Sequence, residues 1–163
     1  MPQETSNWIL EFKKTIEQAS PVLMRIPISK QSRRSAPDKW SPKEIIGHLI
    51  DSATNNHRRF VKAQWQDQLM MDGYEQENWV KHQCYQEADW KNLVTLWHHY
   101  NLHLVHVMQT SSAEQLNHVV LGLRQGYLKP PIPADQPCSL RELMQDYIAH
   151  LKHHLTQILQ QIQ

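Results

Sequence analysis

The sequence predicts an all-α protein, a four-helix bundle with long crossover connections, and three features support this fold class. Four stretches of about 20 residues place apolar side chains at helical spacing. Only 4 of the 163 residues are glycine, which favours long regular elements. The connections on either side of the third stretch are long, which suits a bundle with crossovers better than a simple up-and-down one. We expect residues 1–163 to form a single domain of this kind.

The first predicted helix runs from Ser6 to Ile26, where apolar residues recur at intervals of three and four. Its apolar side is formed by Trp8, Ile9, Phe12, Ile16, Ala19 and Leu23. The polar residues 29–39 that follow have no such periodicity, so we expect them to form a connecting loop.

The second predicted helix begins with a strong start signal. Ser41 can cap the free backbone N–H groups of the first turn, Pro42 fits the first helical position, and Glu44 completes a capping box. The helix is expected to last to about Gln66. Its apolar residues are Ile45, Ile46, Leu49, Ile50, Ala53, Phe60, Val61 and Trp65.

The third predicted helix spans about Glu87 to Gln109, and a second capping box, Ser139 with Glu142, starts the last helix. The apolar residues of the third helix are Trp90, Leu93, Leu96, Trp97, Tyr100, Leu104 and Val107. Those of the last helix are Leu140, Leu143, Met144, Tyr147, Ile148, Leu151, Leu155, Ile158 and Leu159.

The two long connections are residues 68–86 and residues 110–138. We expect the first to contain about one turn of helix around Trp79. The second holds several prolines and two glycines, and its only strand signal is a short ribbon near residues 119–128.

Composition and charge exclude two classes of partner. The chain has 17 Lys and Arg against 16 Asp and Glu, a formal charge of +1, which lacks the basic footprint of a nucleic-acid-binding protein. No run of 18 apolar residues occurs, so we expect no membrane-spanning segment. The polar residues 1–7 lack the order of a secretory signal, so we expect a cytoplasmic protein.

Eleven histidines are the first indication of chemistry. On the second predicted helix, a stripe about 60° wide beside the apolar face carries His48, Ser52, Asn55 and Arg59. On the last predicted helix, His150 and His154 lie one turn apart, and Tyr147 and Gln157 share their stripe. Two imidazoles at this spacing can converge on one transition metal ion, and a third from another helix would leave coordination positions open.

Spacing alone does not choose this pair. The third predicted helix carries His99, His103 and His106 at similar intervals, and a lone histidine is more often a structural or surface residue than a ligand. The HExxH signature of zinc proteases is absent because Leu151, not Glu, follows His150. The chain also lacks a GxSxG elbow, a P-loop and a GxGxxG motif.

Two segments of the chain resemble motifs of the DinB/YfiT superfamily. KWSPKEIIGHLIDS, at residues 39–52, resembles the segment in which a Trp precedes the second helix and a metal-binding His lies about two turns into it. YIAHLKHHLTQI, at residues 147–158, resembles the C-terminal H-x-x-H-H-x-x-Q-I motif. Asn55, Arg59 and the acidic, Trp-containing residues 74–80 resemble the YfiT-like branch.

The resemblance implies a four-helix bundle that holds one divalent metal ion, zinc or nickel, through three histidines. By residue matching, these ligands are His48, His150 and His154, whereas His153 is the neighbouring non-ligand of the motif. The histidines of the third predicted helix match no ligand position. The resemblance also implies a homodimer.

The resemblance further implies a metal-dependent enzyme acting on a small molecule, because relatives include S-transferases or isomerases that use bacillithiol, mycothiol or glutathione. A metal held by three neutral imidazoles would deprotonate a coordinated thiol, and Arg59 with Asn55 could then hold a carboxylate or amide of that thiol. Tyr147 could donate a hydrogen bond to developing charge, and Asp51 could orient an imidazole. A purely structural role is the alternative for both side chains. For Arg59 it is an ordinary salt bridge, and for Tyr147 it is packing in the core, which is the role we favour.

Two further functions remain open at this point. One is hydrolysis by a water that the metal activates, which needs no thiol. The other is a non-catalytic role, in which the bundle binds metal and associates with a second copy. The chain also departs from the YfiT-like pattern at residues 116–125, where a His-Pro-x-x-Gly loop is expected, and this leaves the substrate open.

Overall fold

The computed structural model describes residues 3–122, 126–128 and 136–163, and the side chains from Asn7 onward. Within this part of the chain, the long helices are α1 (Gln3–Met24), α3 (Pro42–Ala63), α5 (Trp90–Thr110) and α6 (Leu140–Ile162). Shorter helical segments in the connections are α2 (Ile28–Gln31), α4 (Gln76–His82) and 3-10 turns at Tyr85–Glu87 and Gln115–Asn117. The predicted all-α four-helix bundle is confirmed.

The packing of the long helices fixes which faces can meet. Helix α1 packs against α5 and α6, and α3 packs against the same two helices. The connections 25–41 and 111–139 therefore join helices at diagonal corners of the bundle. The connection 64–89 joins the neighbours α3 and α5, and α4 within it packs against α3. As a result, one side of α3 faces α6 while another is covered by this connection.

Both predicted capping boxes start their helices. The backbone N–H of Glu44 donates to Ser41 Oγ at 3.3 Å, and the backbone N–H of Ser41 donates to Glu44 Oε2 at 2.9 Å. The same reciprocal pair joins Ser139 and Glu142, at 3.2 and 2.7 Å. Each cap satisfies N–H groups that the first turn of a helix leaves unpaired, and such a cap contributes about 1 kcal/mol.

Several predicted boundaries shift where a local signal ends or starts a helix. The loop predicted at residues 29–39 begins with the last residues of the short helix α2. The turn expected around Trp79 is α4. The third predicted helix starts at Trp90 and not at Glu87, because Asp89 caps it: its side chain accepts from the backbone N–H of Asn92 at 2.8 Å.

A small sheet joins the two long connections. Its strands are β1 (Leu69–Met70), β2 (Val119–Leu121) and β3 (Cys138–Ser139). Strand β1 pairs with β2 in parallel, and β3 pairs with β2 antiparallel. The ribbon expected near 119–128 is thus strand β2, but its partners come from distant segments of the chain. Residues 123–125 of that expected ribbon lie outside the described residues.

Close packing brings the 3-10 turn at Tyr85–Glu87 onto α3. A Cβ atom at Gly47 would lie 2.1 Å from Cδ2 of Tyr85, so only glycine lets this ring lie directly on the helix. The contact places the Tyr85 hydroxyl beside Asp51, one turn further along α3. None of the described helices is both long enough and apolar enough to span a bilayer.

Candidate metal centre

Three histidines converge between α3 and α6. His48 comes from α3, and His150 and His154 come from successive turns of α6. One nitrogen from each ring lies within 4.8 Å of the others, and the Nε2 atoms of His48 and His150 are 3.0 Å apart. Among the described residues this is the one group of three or more His, Cys, Asp or Glu side chains that converges in this way. We call it the three-His cluster.

Burial keeps these imidazoles neutral. The three side chains are 1%, 8% and 7% exposed, in the order His48, His150 and His154. Loss of hydration lowers the pKa of His48 to about 3 and that of His154 to about 4, and it lowers the pKa of His150 well below its ordinary value. Positive charge on a neighbouring imidazole would lower these values further, since like charges repel. A neutral imidazole offers the lone pair that a metal ion needs.

Polar neighbours set the orientation of two of the rings. Gln157 Oε1 lies 2.7 Å from His154 Nδ1, and Gln157 Nε2 lies 3.0 Å from a ring nitrogen of His153. Because the amide oxygen can only accept, Nδ1 of His154 carries the proton and its Nε2 keeps the lone pair. Ser52 Oγ lies 3.5 Å from Nδ1 of His150. Such contacts from outside the ligand set orient metal-binding imidazoles.

The third ring has no such partner among the described residues. His48 Nδ1 is buried and makes no hydrogen bond, and the same is true of Asp51 Oδ2. The expectation that Asp51 orients an imidazole is not met, because its Oδ1 accepts from the Tyr85 hydroxyl at 2.6 Å and from Gln83 Nε2 at 2.7 Å. Tyr85 and Gln83 therefore hold this carboxyl group.

Aromatic side chains cover the three-His cluster. Trp40, just before α3, packs against His48 with ring centroids 4.8 Å apart. Tyr127 packs against His150 at 4.8 Å, and Asp146 holds its backbone through hydrogen bonds to the N–H groups of Tyr127 and Leu128. Tyr127 is not predicted from the sequence, since it lies in a connection with no periodic pattern. The quoted motif contains Trp40 but does not predict this contact.

Arg59 and Asn55 lie on the predicted stripe of α3 but line a separate cavity of about 450 Å³. The guanidinium of Arg59 donates to Asn56 Oδ1 at 3.4 Å and to the backbone carbonyl of Asp72. It is Arg58 that forms a salt bridge with the Asp72 carboxylate, at 2.8 Å. The salt bridge left open for Arg59 is therefore not present among the described residues. We call this space the arginine cavity.

Tyr74 connects the arginine cavity to the three-His cluster. It lines the cavity and lies near Ser52, whose Oγ contacts His150. Burial, together with the nearby Asp51 carboxylate, raises the pKa of Tyr74 to about 12, so its hydroxyl stays protonated at neutral pH. In the sequence, residues 74–80 carry only the family resemblance, and no role is predicted for Tyr74.

Tyr147 belongs to the core and not to the cluster. Its hydroxyl donates to Asn101 Oδ1 at 2.6 Å, and its ring lies edge-on to Phe12 and Phe60. The side chain is 3% exposed. Tyr147 therefore packs in the core, which is the role that the sequence favours for it.

The remaining histidines of the sequence analysis lie away from the three-His cluster. His153 is exposed on α6, as its position next to a ligand in the motif implies. His99, His103 and His106 are exposed on α5, the helix diagonal to α6. The structure thus brings together the three histidines that the resemblance implies and separates them from the alternative set.

Solved structures share this fold. The chain is similar to YfiT from Bacillus subtilis, described as a probable metal-dependent hydrolase with an unusual four-helix bundle topology; the TM-score is 0.82 at 15% identity, over 99% of this chain and 87% of that one. It is also similar to a mutant of the mycothiol-dependent maleylpyruvate isomerase, with a TM-score of 0.70 at 14% identity over 96% of this chain. This chain spans 60% of that isomerase. At these identities the likeness establishes the fold.

Comparison of sequences identifies the family. No curated protein matches this chain in sequence. A model of the DinB superfamily matches residues 11–158, which is most of the chain. The matched range contains all three histidines of the cluster and both capping boxes. The chain therefore belongs to the DinB superfamily.

Proposed function

We propose that this protein is a metal-dependent enzyme that holds one divalent ion, zinc or nickel, at His48, His150 and His154. The observation that carries the proposal is the convergence of three buried, neutral imidazoles from two helices. The Nε2 atoms of His48 and His150 lie 3.0 Å apart, close enough for one ion to be bound by both. Imidazole is also a ligand that zinc and nickel accept readily.

The residues around the cluster support such a site. Gln157 presents the lone pair of His154 by accepting the proton of its other nitrogen. Trp40 and Tyr127 cover the rings and keep water away from them, which strengthens electrostatic interactions there. A divalent ion bound by neutral ligands keeps its full charge, acts as a Lewis acid and lowers the pKa of a water or thiol that reaches it.

The substrate class we propose is a low-molecular-weight thiol of the bacillithiol type, transferred to an electrophile. Burial lowers the pKa of the Arg59 guanidinium, but this group remains a cation at neutral pH, and no described carboxylate forms a salt bridge with it. It can therefore bind a carboxylate of the substrate. Ser52 and Arg59 are seven residues apart on α3, about 10 Å at the helical rise. A small peptide-like thiol can span this distance between its sulfur and its carboxylate.

In this proposal Tyr74 and Asn55 position the substrate between the two sites. Tyr74 lies near Ser52, which is next to His150, and it lines the arginine cavity. Asn55 lines the same cavity, and its amide nitrogen donates to the backbone carbonyl of Asp51 at 2.9 Å. The amide oxygen of Asn55 takes no part in that bond. The mycothiol-dependent isomerase with a similar fold supports the choice of a thiol.

A metal-dependent hydrolase is the second candidate function, because YfiT, described as a probable metal-dependent hydrolase, has a similar fold with a TM-score of 0.82. A side chain that removes a proton from the metal-bound water assists hydrolysis. Among the described residues, no carboxylate is hydrogen-bonded to the three imidazoles, and the Asp51 carboxyl is bound to Tyr85 and Gln83. Four expectations from the sequence stay predictions. They are the alternative of a bundle that binds metal without catalysis, the homodimer, the single domain over residues 1–163 and the cytoplasmic location.

The test compares two reactions of the same metal-loaded protein. In one, glutathione or bacillithiol reacts with a chromogenic aryl halide, so that a carbon–sulfur bond forms while halide and a proton are released. In the other, activated esters and amides are supplied without thiol. We expect thiol conjugation that chelation abolishes and that is absent in His150→Ala. Metal-dependent ester turnover without any thiol conjugation would favour the hydrolase and contradict the transferase.

A further inference from the structure

A second pair of imidazoles meets between α3 and α5. His57 of α3 and His103 of α5 have ring centroids 4.9 Å apart and planes at 88°. The rings of the three-His cluster have centroid separations of 4.5 to 5.1 Å and planes at 72° to 79°. The second pair therefore reproduces the spacing and the edge-to-face arrangement of the cluster. It joins two long helices that pack against each other.

This pair is separate from the three-His cluster. His57 lies nine residues after His48 on α3, and at about 100° per residue the two side chains point to opposite sides of the helix. Their Cα atoms are also about 13 Å apart along the helix axis at the helical rise. An ion held at one place therefore cannot be shared with the other.

The nitrogens of the second pair are available for a ligand. Nδ1 of His57 lies 3.3 Å from the Tyr100 hydroxyl, a contact that orients the ring. The other nitrogen of His57, and both nitrogens of the exposed His103, make no hydrogen bond with the described residues. Partial burial lowers the pKa of His57, which favours the neutral form. His106, one turn further along α5, stacks on His103 with centroids 6.2 Å apart.

We propose that His57 and His103 form a second, weaker binding site for a divalent transition metal ion such as Ni²⁺, Cu²⁺ or Zn²⁺. Two imidazoles supply the protein ligands, and water completes the coordination because His103 is exposed. The site has fewer ligands than the three-His cluster, so its affinity is lower. Imidazole nitrogen selects transition metal ions, and Mg²⁺ and Ca²⁺, which prefer oxygen ligands, do not bind there.

Titration of the metal-stripped, full-length protein with Ni²⁺ tests the proposal, with binding followed by isothermal titration calorimetry. We expect a weaker class of sites that His57→Ala and His103→Ala each weaken by about tenfold or more, since the loss of even a neighbour of a ligand costs a metal site that much. His99→Ala is the matched control. His99 is exposed on the same helix, one turn before His103, and has no ring contact with His57, so the weaker class should persist there. Loss of the weaker class in His99→Ala would assign it to His99 and His103 and would overturn the proposal.

The same titration in His150→Ala keeps this test independent of the three-His cluster. The weaker class should remain in that variant even though the tight class is lost. A weaker class that survives both His57→Ala and His103→Ala would overturn the proposal. A His150→Ala protein that binds no metal ion at all would also overturn the proposal. His57 and His103 would then be ordinary surface imidazoles that stack without binding metal.

Discussion

The Nε2 atoms of His48 and His150 lie 3.0 Å apart, although the two residues are 102 positions apart in the sequence. Both rings are buried and their pKa values are lowered, so both are neutral at pH 7. Two facing lone pairs would repel, so a proton on one Nε2 or a cation between them must stabilise the contact. In the function that we propose, the pair would exchange one shared proton for a divalent ion.

Replacing Gln157 should weaken metal binding without unfolding the protein. Gln157→Ala removes the acceptor that fixes the proton of His154 on Nδ1, so the ring can rotate or change tautomer. Loss of such a partner typically lowers metal affinity by about 10 to 100-fold. Competition with a chromophoric chelator measures the change.

The matched substitutions for this position are Gln157→Glu and Gln160→Ala. Glutamate retains an oxygen that accepts the Nδ1 proton of His154, so most of the affinity should return. Gln160 is exposed on α6 outside the cluster, and its replacement should leave the affinity unchanged. Equal loss in Gln157→Ala and Gln160→Ala would mean that the hydrogen bond to His154 has no role in binding.

The metal affinity of the three-His cluster should be nearly independent of pH in weak acid. Protons compete with a metal only below the pKa of the ligand, and the pKa is about 3 for His48 and about 4 for His154. We therefore expect the affinity to change by about twofold or less between about pH 7.5 and 5.5. Three ordinary imidazoles, with a pKa of about 6.5, would each cost about tenfold at pH 5.5. Calorimetric titrations at the two pH values separate these outcomes.

Gly47→Ala should destabilise the fold. The added Cβ would meet the Tyr85 ring at 2.1 Å, which forces the ring off α3 and disturbs its hydrogen bond to Asp51. Such overpacking costs up to about 3 kcal/mol, more than the roughly 1 kcal/mol that alanine gains over glycine inside a helix. Urea denaturation measures the free energy of unfolding.

Gly73→Ala is the control for this substitution. Apart from the residue itself and its two chain neighbours, no atom lies within 4 Å of a Cβ built at Gly73, so the free energy of unfolding should change by less than about 0.5 kcal/mol. A Gly47→Ala protein that is as stable as the unsubstituted one would show that Tyr85 can leave α3 without cost.

The sequence predicted what depends on local spacing. The capping boxes at Ser41 and Ser139 start α3 and α6, because the hydrogen bonds of a cap involve residues three positions apart. The spacing of His150 and His154 likewise places both on one side of α6. Periodicity could not say which helix supplies the third imidazole, since that depends on the packing of α3 against α6, and only the family resemblance pointed to His48.

What the sequence could not predict depends on contacts between distant segments. Tyr127 reaches the cluster because Asp146 of α6 holds its backbone, and no local pattern encodes that bond. Tyr74 lies near Ser52 because the connection after α3 folds back over that helix. The strands β1 and β3 have two residues each, too few to show any alternation of polar and apolar side chains.

Arg59→Ala should mainly raise the KM for a thiol substrate if the protein is a thiol transferase. The guanidinium would bind a carboxylate far from the reacting sulfur, so ground state and transition state would lose the same interaction and kcat would change little. Loss of a charged hydrogen bond of this kind costs about 2 kcal/mol, or roughly 30-fold in KM. Steady-state kinetics at varied thiol concentration measure both constants.

Arg58→Ala is the matched control for Arg59. Arg58 lines the same cavity, but its charge is already paired with the Asp72 carboxylate. We therefore expect a smaller rise in KM. A rise in Arg58→Ala as large as that in Arg59→Ala would indicate a general attraction of anions and not a specific contact.

The metal content of single-histidine variants tests the three-His cluster most directly. Elemental analysis after dialysis should find about one tightly bound zinc or nickel ion per chain, since three ligands bind far more strongly than two. His48→Ala, His150→Ala and His154→Ala should each lose this ion, while His99→Ala, which changes an exposed residue of α5, should keep it. Retention of the tightly bound ion by His150→Ala, together with its loss from His99→Ala, would contradict the central claim.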